Sequence, residues 1–200
     1  MERPETGAGV TAVAGNSPVL RSPEVMESVI WLLCHYPDTK EIDQRVDKAA
    51  TLHFESGFPI WLYGSASARY PQAVERHIRD KLVARGVVPQ QVQCSGGLEG
   101  VGPSLDTVQE ALNVAANAKK LGIKRIICVS NRLQLLQVRA LLRHEEIAFQ
   151  WVATPLRDRR WWYVLGRLVL IPLAYAGVGQ RFVPLVFIRW ARASLAVWPF

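Results

Sequence analysis

Apolar and polar residues follow two alternating patterns along most of the chain. Short continuous apolar runs are typical of strands that are buried on both faces of a sheet. Each run is followed by a stretch in which apolar residues recur every three or four positions, as on one face of a helix. These patterns predict strands at 28–34, 58–63, 91–94, 124–130 and 147–152, and helices at 38–56, 71–85, 107–121 and 133–144.

The alternation of strand and helix predicts the fold class. A strand, a helix and a second strand in this order form a right-handed parallel unit, so the chain should build one parallel sheet. We expect a Rossmann-like three-layer α/β sandwich, with a mostly parallel five-stranded sheet and helices on both faces. Glycine follows three of the helices as a stop signal. The first helix should turn a shared face inward, formed by Ile42, Val46, Ala49, Ala50 and Phe54.

The carboxyl ends of the predicted strands carry small, polar, hydroxyl-rich residues. In an open parallel sheet, ligands bind outside these ends, and hydroxyls and loop amides suit an anion or a sugar phosphate. Polar residues are also ordinary in the loops after strands, which is the competing interpretation. The pattern predicts a ligand-binding edge that contains His35, Gly64, Ser65, Ser67, Ser95, Gly96, Gly97, Ser104, Thr107, Ser130, Asn131 and Gln134.

A glycine-rich stretch at 95–106 leads into the helix predicted at 107–121. Glycine lets a backbone approach a ligand closely, and a helix N-terminus attracts anions. The glycine spacing matches neither the dinucleotide fingerprint nor the phosphate loop of nucleotide hydrolases. Thr107 and Glu110 have the spacing of a capping box, which would explain both residues without any ligand.

Four short motifs stand in a recognisable order within 28–152: YGSAS, ARGVVPQQV, SLDTVQEALN and ICVSNRLQLLQVRALL. Their order and spacing resemble those of the YdcF/SanA/ElyC-like family. The resemblance implies a Rossmann-like domain of largely unassigned function and a role connected with the cell envelope. It also implies a small phosphorylated or nucleotide-like ligand, with S-adenosylmethionine as one candidate cofactor.

The chain departs from that family pattern at the positions that would carry acid–base chemistry. Gln134 stands where the family has a histidine, and Glu75 is the nearest candidate for a displaced acid of the second helix. Without these groups no catalytic residue can be named, and the sequence leaves open whether the domain is an enzyme. The alternatives are a non-catalytic scaffold anchored to a membrane or partner, and a hydrolase or transferase acting on envelope precursors.

The remaining titratable residues predict neither a metal site nor a catalytic dyad. His53, His77 and His144 fall on predicted helices at positions expected to face solvent, and no cluster has zinc-ligand spacing. Asp38 and Glu41 stand at a helix start, where the helix dipole explains them. The three cysteines form no CxxC pair, so we expect buried, reduced thiols and a cytoplasmic protein.

The ends of the chain differ in character from the domain predicted at 27–155. Residues 1–26 form a predicted flexible arm, rich in Pro, Gly, Ser and Thr, without the features of a signal peptide. Residues 156–200 form a predicted basic helical appendage with seven arginines, one aspartate and four of the seven tryptophans. Its longest uncharged run is 13 residues, whereas a bilayer span needs about 20. It suits a membrane surface, packing on the sheet, or a homodimer contact. Nucleic-acid binding is not expected, because no recognised module is present.

Overall fold

Within the residues that the computed structural model describes, five strands and four α-helices build the domain. The described residues are 27–34, 40–64, 74–95 and 107–156, together with helical positions 164, 165, 168, 171 and 172. The predicted arm and most of the predicted appendage lie outside the described residues. The elements are β1 (Ser28–Leu32), α1 (Lys40–Ser56), β2 (Ile60–Leu62), α2 (Val74–Val83), β3 (Val92–Cys94), α3 (Thr107–Lys120), β4 (Arg125–Asn131), α4 (Arg132–Leu141) and β5 (Ala148–Thr154).

The five strands form one all-parallel sheet in the order β3-β2-β1-β4-β5. The chain builds outward from β1 to β2 and β3, and then returns to the other side of β1 to add β4 and β5. The strand order therefore reverses between β1 and β4, where Ile30 is in register with Ile127. This arrangement is Rossmann-like, and the predicted fold class is confirmed.

The sheet is buried between two helical layers. Along β1, Ile30 and Leu32 face α1 and α2, whereas Val29 and Trp31 face α3 and α4. All five β1 residues are buried, which explains why the strand is a continuous apolar run. Within the described residues, no helix combines the length and the apolar character needed to cross a bilayer.

Glycine ends three of the helices as the sequence predicts. Gly57, Gly86 and Gly122 have φ angles of 72°, 90° and 69°, in the left-handed region that glycine adopts without a Cβ penalty. The amide of Gly57 donates to the carbonyl of His53 at 2.7 Å, which closes the last turn of α1.

The inward face of α1 differs from the prediction at its last turn. Phe54 was expected to be buried, but it is 59% exposed, and its ring end lies near Gly86. His53 was expected to face solvent, but it is buried and its Nδ1 lies 2.7 Å from the carbonyl oxygen of Phe58. An imidazole can hydrogen-bond a backbone carbonyl, so this position accommodates histidine in the core.

Candidate functional site

The carboxyl edge of the sheet is lined by buried polar side chains that hydrogen-bond to one another. Six of the twelve predicted site residues are described there: Gly64, Ser95, Thr107, Ser130, Asn131 and Gln134. The other six lie outside the described residues: His35, Ser65, Ser67, Gly96, Gly97 and Ser104.

One group of contacts joins the end of β4 to the start of α3 through Gln134. Ser130 Oγ donates to Gln134 Oε1 at 2.8 Å, and Gln134 Nε2 donates to Thr107 Oγ1 at 3.2 Å. Asn131 caps α4, because its Oδ1 accepts from the backbone amide of Gln134 at 2.9 Å. Four of the predicted site residues are thus brought together, and Gln134 links the other three.

A second group lies at the point where the strand order reverses. Asn131 Nδ2 donates to Glu41 Oε1 at 2.6 Å, and Arg45 Nη2 donates to the same oxygen. Arg45 Nη1 also donates to the carbonyl of Leu33 at 3.0 Å. Glu41 and Arg45 are 1% and 0% exposed and form a buried ion pair within α1. Their hydrogen bonds with the Leu33 carbonyl and with Asn131 join α1 to the ends of β1 and β4.

A third group joins the ends of β2 and β3 through Glu75, at the start of α2. Glu75 Oε2 accepts from the amide of Gly64 at 3.0 Å, the amide of Ser95 at 3.2 Å and Ser95 Oγ at 2.7 Å. A Cβ on Gly64 would lie 3.0 Å from the backbone nitrogen of Glu75. A side chain at position 64 would therefore require the start of α2 to move back by a few tenths of an ångström.

A fourth group of contacts centres on the buried carboxylate of Glu110, in the first turn of α3. Its Oε1 accepts from Trp31 Nε1 and from the amide of Cys34, both at 3.2 Å. Glu110 is therefore more than the capping residue that its spacing with Thr107 predicts. It fixes the first turn of α3 against the end of β1.

The charge at this edge is strongly unbalanced. Glu41, Glu75 and Glu110 are buried, whereas Arg45 is the one arginine or lysine buried among the described residues. Arg45 is paired with Glu41, whereas Glu75 accepts from the neutral amides of Gly64 and Ser95 and from the Ser95 hydroxyl. A ligand group that contacts Glu75 must therefore offer hydrogen-bond donors or positive charge, since a buried anion would be repelled.

The cysteines at this edge are held as neutral thiols. All three cysteines of the chain are free. Burial is the main cause that raises the pKa of Cys34 well above its usual value, and the nearby carboxylates of Glu110 and Glu75 raise it further. Burial, with the Glu75 carboxylate, raises the pKa of Cys94 to about 11. Thiols of this kind are weak nucleophiles at neutral pH, and Ser95, at 1% exposure, is inaccessible as one.

The raised pKa of Cys94 predicts a loss of stability in alkali. The unfolded chain releases this proton near pH 9, whereas the folded protein holds it until about pH 11. The free energy of unfolding should be unaffected by Cys94 below this window and should fall as pH rises through it. Urea unfolding followed by tryptophan fluorescence would measure the decline. Cys94→Ala should decline less steeply, and an identical slope in both proteins would contradict the assignment.

Sequence reasoning missed the buried acids that organise this edge. Glu41 was explained by the helix dipole, Glu75 was only the nearest candidate for a displaced family acid, and Glu110 was a capping residue. A signal was present, because each glutamate stands within the first four residues of a helix that follows a strand. Acids at the same positions are also common on first turns that face solvent. Only the folded structure distinguishes a buried first-turn acid from a solvated one.

Comparison with family models, with characterised proteins and with solved structures gave no match to this chain. Within the described residues, no group of three or more histidine, cysteine, aspartate or glutamate side chains could hold a metal ion. The chemistry that this edge can perform is therefore argued from its own geometry. Carboxylates fixed by several donors are suited to recognising hydroxyl, amino or cationic groups.

Proposed function

We propose that the domain binds a small phosphorylated or nucleotide-like ligand at the carboxyl edge of the sheet. The observation that carries this proposal is the convergence of buried polar groups on the reversal of strand order between β1 and β4. Open parallel sheets bind ligands in the crevice at such a reversal. The motif order that resembles the YdcF/SanA/ElyC-like family supports the same class of ligand.

The charges at the edge give the ligand an orientation. Its hydroxyl or amino groups would approach the carboxylate of Glu75, which accepts hydrogen bonds. Its phosphate would lie outward, toward the N-terminus of α3 at Thr107, where backbone amides and the helix dipole favour an anion. A nucleoside phosphate fits this orientation, with its hydroxyl and amino groups directed inward and its phosphate directed outward. S-adenosylmethionine also fits, because its sulfonium and amino groups suit the carboxylates.

Glu75 is the residue through which this orientation can be tested. Within the described part of the chain, all three of its hydrogen bonds go to Oε2, which leaves Oε1 available to accept from a ligand. Glu75→Gln can keep an oxygen toward Gly64 and Ser95 while placing an amide donor in the position of Oε1. A ligand hydroxyl or amino hydrogen would then meet a donor instead of an acceptor.

The experiment is calorimetric titration of the full chain with ADP, S-adenosylmethionine and glucose 6-phosphate. We expect at least one of them to bind and Glu75→Gln to weaken that binding about tenfold, or ~1.4 kcal/mol. Glu55→Gln is the matched control, because Glu55 is exposed at the far end of α1, and it should bind as the natural chain does. No heat with any of the three compounds, or equal affinity in all variants, would contradict the proposal.

A further inference from the structure

Exposed arginines and apolar side chains share one face of the domain, beside the edge strand β5. This surface, called here the α4–β5 face, is a shallow groove lined by Arg132, Leu135, Leu136, Arg139, Trp151 and Ala153. It is built on α4 and β5, whereas the buried carboxylates of Glu41, Glu75 and Glu110 belong to α1, α2 and α3. It plays no part in the ligand site proposed above.

The arginines of this face form a stripe along α4. Arg132 and Arg139 are seven residues apart, so they lie on the same side of the helix about 10 Å from each other, and Leu136 lies between them. Arg132, Leu136 and Arg139 are exposed. The stripe therefore presents an apolar side chain between two guanidinium groups.

The positive charge of the stripe is uncompensated. No aspartate or glutamate occurs in α4, and none of the ion pairs within the described residues involves Arg132 or Arg139. By contrast, acidic residues of α1 form ion pairs with basic residues on α2 and just after it. Asp43 pairs with Lys81, and Asp47 pairs with Arg85. The α4–β5 face thus has the charge of an unoccupied binding surface for anions.

The edge strand adds aromatic surface to the same face. Phe149 and Trp151 are partly buried and stack at 5.3 Å between ring centroids, with an interplanar angle of 14°. Trp151 lines the groove. Arginine beside tryptophan and leucine is the combination that binds the interface of a bilayer, with cations at the phosphates and apolar groups below them.

The sequence that follows β5 indicates what kind of partner this face takes. Residues 157–200 carry seven arginines against one aspartate, so they cannot neutralise Arg132 and Arg139. A partner whose charge complements both the α4–β5 face and the basic sequence 157–200 must be anionic and extended. It must also have an apolar region that accepts Leu136 and Trp151. We propose that the α4–β5 face docks on an anionic membrane surface, with Arg132 and Arg139 at lipid phosphates and with Leu136 and Trp151 at the acyl boundary.

The test is co-sedimentation of the full chain with phosphatidylcholine vesicles that contain or lack phosphatidylglycerol. Because each basic residue near an anionic surface strengthens membrane binding about fivefold, Arg132→Gln with Arg139→Gln should lower partitioning onto the anionic vesicles about tenfold or more. Lys40→Gln with Lys48→Gln is the matched control. It removes the same charge from exposed positions on α1, across the sheet, and should change partitioning less than about twofold.

Each outcome decides the proposal. Loss of partitioning in the arginine variant alone supports it, and Leu136→Gln should then also bind more weakly. Equal losses in both double variants would show attraction by net charge alone and would overturn it. Undiminished binding of the arginine variant to anionic vesicles would also overturn the proposal. The proposal would likewise fail if the chain bound a poly-glutamate peptide but not the anionic vesicles. All four charged residues are exposed, so circular dichroism should show every variant folded.

Discussion

Replacing Glu41 with alanine should lower the free energy of unfolding by about 3–5 kcal/mol, because it leaves a buried guanidinium without its counter-charge. Arg45 is fully buried, and its Nε has no hydrogen-bond partner, so the residue already depends on Glu41 for charge compensation. Asn131 Nδ2 would lose its hydrogen bond to Glu41 in the same substitution. Urea unfolding followed by tryptophan fluorescence would give the difference.

Two further variants separate the buried charge from other effects. Asp43→Ala breaks a partly exposed ion pair with Lys81, at 2.8 Å, and should cost less than about 1 kcal/mol. Glu41→Met combined with Arg45→Met removes both charges at once and should recover much of the stability, as replaced buried pairs often do. If Glu41→Ala costs no more than Asp43→Ala, the buried contacts of Glu41 stabilise the fold no more than a partly exposed ion pair does.

The second large effect is expected at Glu75. Alanine at this position leaves the buried amides of Gly64 and Ser95 without an acceptor, which should lower the free energy of unfolding by about 2–4 kcal/mol. The hydroxyl of Ser95 loses its partner as well. Thermal or urea unfolding of the full chain would measure the loss, and the ligand binding proposed for the carboxyl edge should disappear with it.

Glu75→Gln and Ser95→Ala distinguish the acceptor from the bulk of the side chain. Glutamine retains one acceptor oxygen and should cost less than about 1.5 kcal/mol. Ser95→Ala removes one of three donors to Oε2 and should cost about 1 kcal/mol. Alanine and glutamine at position 75 giving the same stability would show that these hydrogen bonds contribute nothing to the fold.

The fold could be predicted from the sequence because each element carries its own local signal. A continuous apolar run such as 28–34 indicates a strand that is buried on both faces of the sheet. The glycines after α1, α2 and α3 indicate where each helix ends. The element ends still moved by a few residues, since local patterns do not show where strand pairing stops. The predicted burial of Phe54 and exposure of His53 were wrong for a different reason. The His53 imidazole lies within hydrogen-bond distance of the Phe58 carbonyl, and the position of that carbonyl is fixed only in the folded chain.

The candidate site was less accessible to sequence reasoning, because its contacts join residues far apart in the chain. Ser130, Asn131 and Gln134 are close in sequence, and their association could be foreseen. The contact of Trp31 Nε1 with Glu110 spans 79 residues, and that of Asn131 with Glu41 spans 90. No periodicity records such a pair, so the buried acids emerged only when the sheet order placed their helices at one edge.

The central position of β1 has a consequence for how this protein is synthesised. Its neighbour β2 follows soon after it, but Ser28 pairs with Arg125, which is 97 residues farther along the chain. On the ribosome, β1 can add β2 and β3 while its opposite edge stays unpaired until β4 emerges. Long-range parallel pairing is slow and leaves apolar strands exposed to aggregation. We therefore expect the nascent chain to pass through a half-sheet stage in which β1, buried on both faces of the finished sheet, still has one edge unpaired.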